Sequence, residues 1–484
     1  MKANRIRRWL RGALAASLVC ATPLQADEIA LPDIGDSSQR LISPLQERAL
    51  GEASMRQLRS QIPFIEDPEI TTYIRNLGHR LARNSDAPQQ PFTFFILKED
   101  SINAFAAPGG YIGIHSGLIL AARSESELAG VMAHEIAHVT QRHLARAYDS
   151  ASRLSLPTAA AILAAILVGT QDAQAGQAAL MSVQAASIQQ QINFTRSNEY
   201  EADWIGMQIL ARSGLNPMGM PAFFQRLRQA TRYYGRPPPF LSTHPVTTER
   251  ISNALARIDQ MKIGQPRENP NFRLIQAKLR VLTSADPKQA LAYYLADNPE
   301  IPTEVREYGL AQARLHAGKI REALAGFKAL RQQDPDRIAY RIAYAQALAK
   351  NGDGTAAARE LETALRLYPG NPLLTRYYAE TLLTEKRFAE AKRLLEAELR
   401  ERREPDALLY QLLARAAAGA GDQASGHEAM AEYHYLSGQL HAAIEALELA
   451  LKQPGLDYYQ KSRMEARLKH FKKIALAVRQ NSEH

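Results

Sequence analysis

His134, Glu135 and His138 stand in the spacing H-E-x-x-H, with which one helix can hold a divalent cation. Residues four apart on a helix share a face, so both imidazoles can address one ion while Glu135 sits close to the water that such an ion carries. The chemistry this implies is metal-assisted hydrolysis, and a donor set of nitrogen and oxygen in tetrahedral array favours zinc. A second set follows in Glu199-Tyr200-Glu201-Ala202-Asp203, which opens a helical run through Ile205, Ile209 and Leu210 to a stop at Gly214. Glu199 and Asp203 are again four apart. The first can complete a site of two histidines and a glutamate, and the second can accept the free ring N–H of a ligating histidine and fix its tautomer. Glu201 points about 200° around the helix from Glu199; spacing does not choose between the two glutamates, and the pairing with Asp203 favours Glu199. His143 comes nine positions after His134, where a three-histidine pattern needs ten, and is expected to be a solvated helix residue.

The elements that must position these groups are legible in part. Ser124 and Glu127 form a capping box ahead of an apolar stripe of Leu128, Val131, Met132, Ile136 and Val139, so the histidine motif lies on a helix. Just before it, Tyr111 to His115 has the alternation of a short strand, which either offers an open edge to a substrate strand or is a core strand. His244 precedes Pro245 in a loop-like stretch. Residues 159–168 are ten consecutive apolar residues between Pro157 and Gly169. That is half a membrane span, and it reads as a buried helix or a mobile lid with the glutamine-rich stretch 187–193 as its polar exit.

Residues 1–26 carry Lys2, Arg5, Arg7, Arg8 and Arg11 with no acid, then a short apolar stretch and Leu24-Gln25-Ala26 before Asp27. This is the order of a secretory signal peptide, with cleavage expected after Ala26. The single cysteine, Cys20, lies within it, so the exported chain would have no disulfide, no thiolate-bound zinc and no cysteine nucleophile. Lys and Arg number 59 against 50 Asp and Glu; without the leader 54 basic residues remain, spread along the chain. Such a mild and dispersed excess excludes nucleic acid as a partner, because phosphate tracking needs clustered cations.

Beyond the Gly- and Pro-containing stretch 263–270 the chain becomes rich in Ala, Leu and Arg. Ala290, Ala323, Ala357 and Ala391 are spaced by 33, 34 and 34, each with a large apolar residue four further on: Tyr294, Phe327, Leu361 and Leu395. Pro302, Pro335 and Pro369 follow the first three alanines by 12 residues each, and Gly318 and Gly352 are again 34 apart. These are markers of tetratricopeptide repeats, where a small residue lets two helices approach and a proline ends the second. The pattern weakens at Ser425 and resumes irregularly around Gly438, Ala443 and Leu447, as a terminal cap would.

Ser101-Ile-Asn-Ala-Phe105, Gly109-Gly-Tyr-Ile-Gly-Ile-His-Ser-Gly117, the His134 motif, Thr195-Arg-Ser-Asn-Glu-Tyr-Glu-Ala-Asp203 and Ser242-Thr-His-Pro245 resemble, in that order, the M48 family of zinc metallopeptidases. With the export leader and the repeats, the similarity covers nearly all of the chain after the leader. The fold class expected is mainly α: a zincin-like metallopeptidase domain with a short β-sheet over residues 27–264, then an α-solenoid of tetratricopeptide repeats over 265–484, behind the signal peptide of residues 1–26. The resemblance implies one Zn2+ per chain on His134, His138 and Glu199, Glu135 as catalytic residue, and His244 near the metal, either as a regulatory fourth ligand or as an oxyanion stabiliser. It also implies a periplasmic role in the quality control of unfolded or misassembled outer-membrane β-barrel proteins, among them the lipopolysaccharide-assembly barrel, with docking to the barrel-assembly machinery and at most peripheral membrane contact. The competing expectation is a scaffold or chaperone adaptor that works through the repeats and keeps its zinc site occluded.

Overall fold

The computed structural model describes residues 44–152, 185–234, 237–261, 263–401 and 406–482. The leader 1–26 and the apolar run 159–168 lie outside the described residues.

The first part of the chain runs α1 (Pro44–Gln61), α2 (Pro68–Arg83), β1 (Thr93–Leu97), β2 (Ala104–Ala107), β3 (Tyr111–His115), a short α3 (Ser116–Ala121), α4 (Glu125–Thr140), α5 (His143–Ser152), α6 (Ala185–Arg212), α7 (Gly219–Tyr234), α8 (Pro239–Thr243) and α9 (Thr248–Ile258). The three strands form one sheet in the order β1-β3-β2. β3 lies in the middle, parallel to β1 and antiparallel to β2. Both backbone edges of Tyr111–His115 are therefore taken, and the open-edge alternative for this strand is overturned. Burial explains the outcome: Ile112 and Ile114 are fully buried, and a Cβ at Gly113 would lie 2.5 Å from the Phe105 ring and 2.9 Å from that of Phe95. A strand packed on both faces and flanked by aromatic rings has no room for a third partner.

α4, which carries the histidine motif, is enclosed by other elements. Ser124 is its N-cap and accepts from the Glu127 N–H at 3.2 Å, as the capping box predicts. The Glu127 carboxylate accepts from the Arg123 N–H instead of closing the box on Ser124, and it also pairs with Arg226. Leu128, Val131, Met132 and Ile136 are fully buried. The helix is buried along nearly its whole length, because α6, α7, α2 and the sheet all pack on it. Gly206 on α6 makes one of these close approaches possible: a Cβ there would stand 3.2 Å from the His134 backbone nitrogen and 2.7 Å from the Met220 Cε. The helix bearing Glu199 and Asp203 is thereby seated against the helix bearing the histidines.

The stretch 263–270 is strapped down. Arg267 N–H donates to the Gly214 carbonyl at 2.8 Å, Ser126 N–H to Glu268 at 3.2 Å, and Asn269 N–H to Glu125 at 2.7 Å. The helix that follows, α10 (Phe272–Thr283), serves two cores. Phe272, Ile275 and Leu279 pack into the core around α4, while Leu274, Ala277 and Val281 pack into that of the repeats. Gln276 Nε2 donates to the carbonyls of Ile119 and Ala122.

Further helices follow, in consecutive pairs from α12 on: α11 (Pro287–Leu295), α12 (Thr303–His316), α13 (Ile320–Gln333), α14 (Ile338–Lys350), α15 (Gly354–Leu367), α16 (Pro372–Thr384), α17 (Phe388–Glu401), α18 (Ala407–Gly419), α19 (Gln423–Leu436), α20 (Leu440–Leu451) and α21 (Tyr458–Ser482). Every marker alanine and its larger companion is buried, from Ala290 and Tyr294 at 1% and 3% exposure to Ala391 and Leu395 at 0%. Gly318 and Gly352 close helices in the left-handed region, at φ 76° and 88°. Lys386 stands at the same place one repeat later with φ 58°, so this turn is kept even without glycine. No helix among the described residues is long and apolar enough to cross a membrane.

Candidate metal centre

α4 and α6 bring four side chains to one point. His134 and His138, one turn apart on α4, turn their Nε2 atoms toward each other at 3.0 Å. Glu199 on α6 places carboxylate oxygens 3.4 Å from each of these nitrogens. His244, just past α8, brings its Nδ1 to 3.2 Å from His134 Nε2 and 3.0 Å from Glu199. One ligand atom from each of the four lies within 4.8 Å of all the others. In a tetrahedral site with bonds of ~2.0–2.1 Å, neighbouring donor atoms sit about 3.3 Å apart. These separations fit a small divalent cation with nitrogen and oxygen ligands.

An orphaned atom of the site points the same way. Glu135 Oε1 is buried without a hydrogen-bond partner, although a buried carboxylate oxygen is costly to leave unpaired. Glu135 itself is 1% exposed and lies on the cluster's rim, with Oε1 3.5 Å from His244 Nε2.

Electrostatics distinguish the two imidazoles. Burial alone would depress His134, but the hydrogen bonds and charges of Asp203 and Glu199 outweigh it and lift the ring to about 9. His138 is pushed down to about 3 by burial, helped by the charges of His134 and His244. Burial would raise Glu199, but the charge of His244 and the hydrogen bonds of the three histidines hold it well below the usual carboxylate range. Of the pair, His134 keeps a proton and His138 is neutral. A cation would compete with that proton for the same lone pair, so binding releases it.

Behind the cluster, Asp203 Oδ1 lies 3.0 Å from His134 Nδ1. Asp203 is itself held by Arg250 on α9, whose Nε and Nη2 each reach one of its oxygens at 2.7 Å. The same guanidinium lies 2.8 Å from Glu199 and donates to the Pro245 carbonyl at 2.8 Å. Arg250 thus ties the α6 carboxylates to the loop that delivers His244, while Phe240 stacks on the His244 ring with centroids 4.9 Å apart. Sequence reasoning missed Arg250. Its only local signal is a basic residue six positions after His244 on the helix that follows.

Glu201 stays out of the cluster and pairs with Arg146 at 2.6 Å. His143 differs from expectation: it is 4% exposed, not solvated, and is lodged between His138 and Glu201. Burial lowers its imidazole to about 4.

Residues 68–258 match the peptidase family M48, and residues 348–416 match a tetratricopeptide repeat family. The beta-barrel assembly-enhancing protease of Escherichia coli K12 is 35% identical over 477 residues, 96% of this chain and 98% of that one. The protein of the same name from Yersinia pestis is 36% identical, with 96% of each chain covered. The mitochondrial metalloendopeptidase OMA1 of Schizosaccharomyces pombe is 25% identical over 45% of this chain and 59% of its own.

Proposed function

The chain belongs to peptidase family M48, among the beta-barrel assembly-enhancing proteases, and from that premise we propose that it is a periplasmic zinc metalloendopeptidase that cleaves unfolded or misassembled outer-membrane β-barrel proteins. The observation that carries this is the meeting of His134 Nε2, His138 Nε2 and Glu199 at separations suited to one small cation. The reading divides the chain into a leader of residues 1–26, a peptidase unit of 27–264 and repeats of 265–484. Periplasmic placement draws on that leader and on the bacterial relatives.

His134, His138 and Glu199 would hold zinc, with Asp203 fixing the His134 tautomer. A zinc ion bound there would lower the pKa of its water toward ~7 and polarise the scissile carbonyl. Glu135, buried beside the ligands, takes the proton of the attacking water and passes it to the leaving amine. His244 would supply a fourth ligand and so hold the enzyme closed until substrate takes its place, because a catalytic site of this type must regain an open position. The buried-alanine repeats form the surface that engages the barrel-assembly machinery and its clients, the lipopolysaccharide-assembly barrel included.

A second reading has one observation in its favour. With His244 inside the ligand cluster the site is closed, so the protein could act as a chaperone or scaffold through its repeats alone. Glu135→Gln separates the two. It should keep zinc and lose cleavage of an unfolded outer-membrane barrel protein by ~10²–10⁴-fold. Cleavage at the wild-type rate would sink the peptidase assignment. If the variant still rescues a barrel-assembly defect, the scaffold role stands beside catalysis; if both are lost, the scaffold reading goes.

A further inference from the structure

His143 is the first residue of α5, and its ring is returned toward α4 by an unusual turn. Arg142, between the two helices, has φ 53°, a left-handed conformation that a non-glycine residue adopts only at a cost. A solvent-facing histidine would need no such turn. Here the turn sets His143 Nδ1 2.8 Å from His138 Nδ1 and His143 Nε2 3.1 Å from a Glu201 oxygen. Glu201 is held by Arg146 at 2.6 Å, and Arg146 also donates to Asn198 Oδ1 at 3.3 Å.

The tautomers along this chain follow one from another. His138 turns Nε2 toward the other ligands, so in the neutral ring that nitrogen must keep its lone pair and the proton must sit on Nδ1. His138 Nδ1–H then donates to His143 Nδ1. With Nδ1 accepting, the His143 proton is on Nε2, where it faces the Glu201 carboxylate. A chain running the other way would put a proton on His138 Nε2 and forbid ligation.

We propose that His143, backed by Glu201 and Arg146, is a positioning residue that fixes the tautomer and orientation of His138 for metal binding, as Asp203 does for His134. This rests on the reading of His134, His138 and Glu199 as ligands. Each histidine of the motif would then have its own carboxylate-terminated support.

The test is zinc affinity of the full chain, by competition with a chromophoric chelator, together with the visible spectrum of the cobalt-substituted protein. His143→Leu should weaken zinc ~10–100-fold and alter the cobalt bands. His143→Asn, whose side-chain oxygen can accept where Nδ1 does, should restore both. Should His143→Leu not fold, Glu201→Ala, at a partly exposed position, serves instead and should shift affinity in the same direction by a smaller factor. Unchanged affinity and an unchanged cobalt spectrum in folded His143→Leu, or in Glu201→Ala where it stands in, would overturn the proposal. A wild-type chain that takes up no stoichiometric zinc or cobalt would instead remove the ligand reading beneath it, and this role with it.

Discussion

The Asp203 carboxylate lies 3.0 Å from Nδ1 of His134, and the two side chains are among the most deeply buried polar groups of the chain, at 6% and 0% side-chain exposure. Asp203 makes two contacts at once: it holds the Nδ1 side of the His134 ring, and together with Glu199 it faces the charge of Arg250, which is 3% exposed. Asp203→Ala should therefore fail in two separable ways. Arg250 would keep only the Glu199 carboxylate at 2.8 Å, and losing the two-pronged Asp203 contact should cost up to about 3–5 kcal/mol of stability, read by denaturant unfolding of the metal-free protein. Loosening His134 should weaken zinc by ~10–100-fold, read by chelator competition. Asp203→Asn keeps an acceptor for His134 and should recover part of the second loss but little of the first.

His244 is expected to reveal its role by the sign of one change. Its Nδ1 stands among the candidate ligand atoms while its Nε2 faces Glu135 at 3.5 Å, so as a ligand it would take the place that a water beside Glu135 needs. His244→Ala should raise basal cleavage of an unfolded protein several-fold and leave zinc content at one per chain. A fall in cleavage with normal zinc content would mean that His244 stabilises the oxyanion instead.

His115 gives the fold a pH dependence away from the metal ligands. It is 6% exposed at the end of the central strand, and burial lowers its imidazole to about 4, with a hydrogen bond from the ring to the Ser101 backbone opposing. Between pH ~6.5 and ~4 the unfolded chain binds this proton and the folded chain does not, so stability falls as pH drops through that window. The full effect is on the order of 3 kcal/mol. His115→Gln cannot titrate, so its stability should fall less steeply between pH 6.5 and 4 than that of the wild type, as measured by urea unfolding across the range.

Much of this centre was legible because its parts are local. The H-E-x-x-H and Glu199/Asp203 spacings are each contained within one helix, and the repeat alanines carry their period in the sequence, so helical geometry alone puts these residues on the right faces. What escaped depends on contacts distant in the chain. Arg250 matters because α9 crosses α6, which nothing near residue 250 reports. His143 is buried because Arg142 adopts a left-handed turn that its residue type does not announce. β1 is a continuous apolar run at Phe94–Phe95–Ile96–Leu97, and such a run carries no period to separate strand from buried helix.

Lys278 on α10 is expected to decide whether the repeats and the peptidase unit unfold together. Its ammonium is 5% exposed and lies 2.9 Å from Asp67, against Glu69 and 3.5 Å from the Tyr377 hydroxyl. Asp67 caps α2 and Glu69 lies in its first turn, and α2 packs on the helix of the histidine motif, whereas Tyr377 belongs to α16 of the repeats. One buried cation thus joins both cores at the helix they share. Lys278→Ala leaves Glu69 buried without a counter-charge, which should cost about 3–5 kcal/mol. Because the loss falls at the junction, the repeats should then melt apart from the peptidase unit, giving two calorimetric transitions where the wild type gives one. Lys278→Met combined with Glu69→Gln and Asp67→Asn removes the stranded charges and should recover most of that cost. If the triple variant melts as broadly as Lys278→Ala, the junction depends on the lysine charge itself and not on the penalty of uncovering its partners.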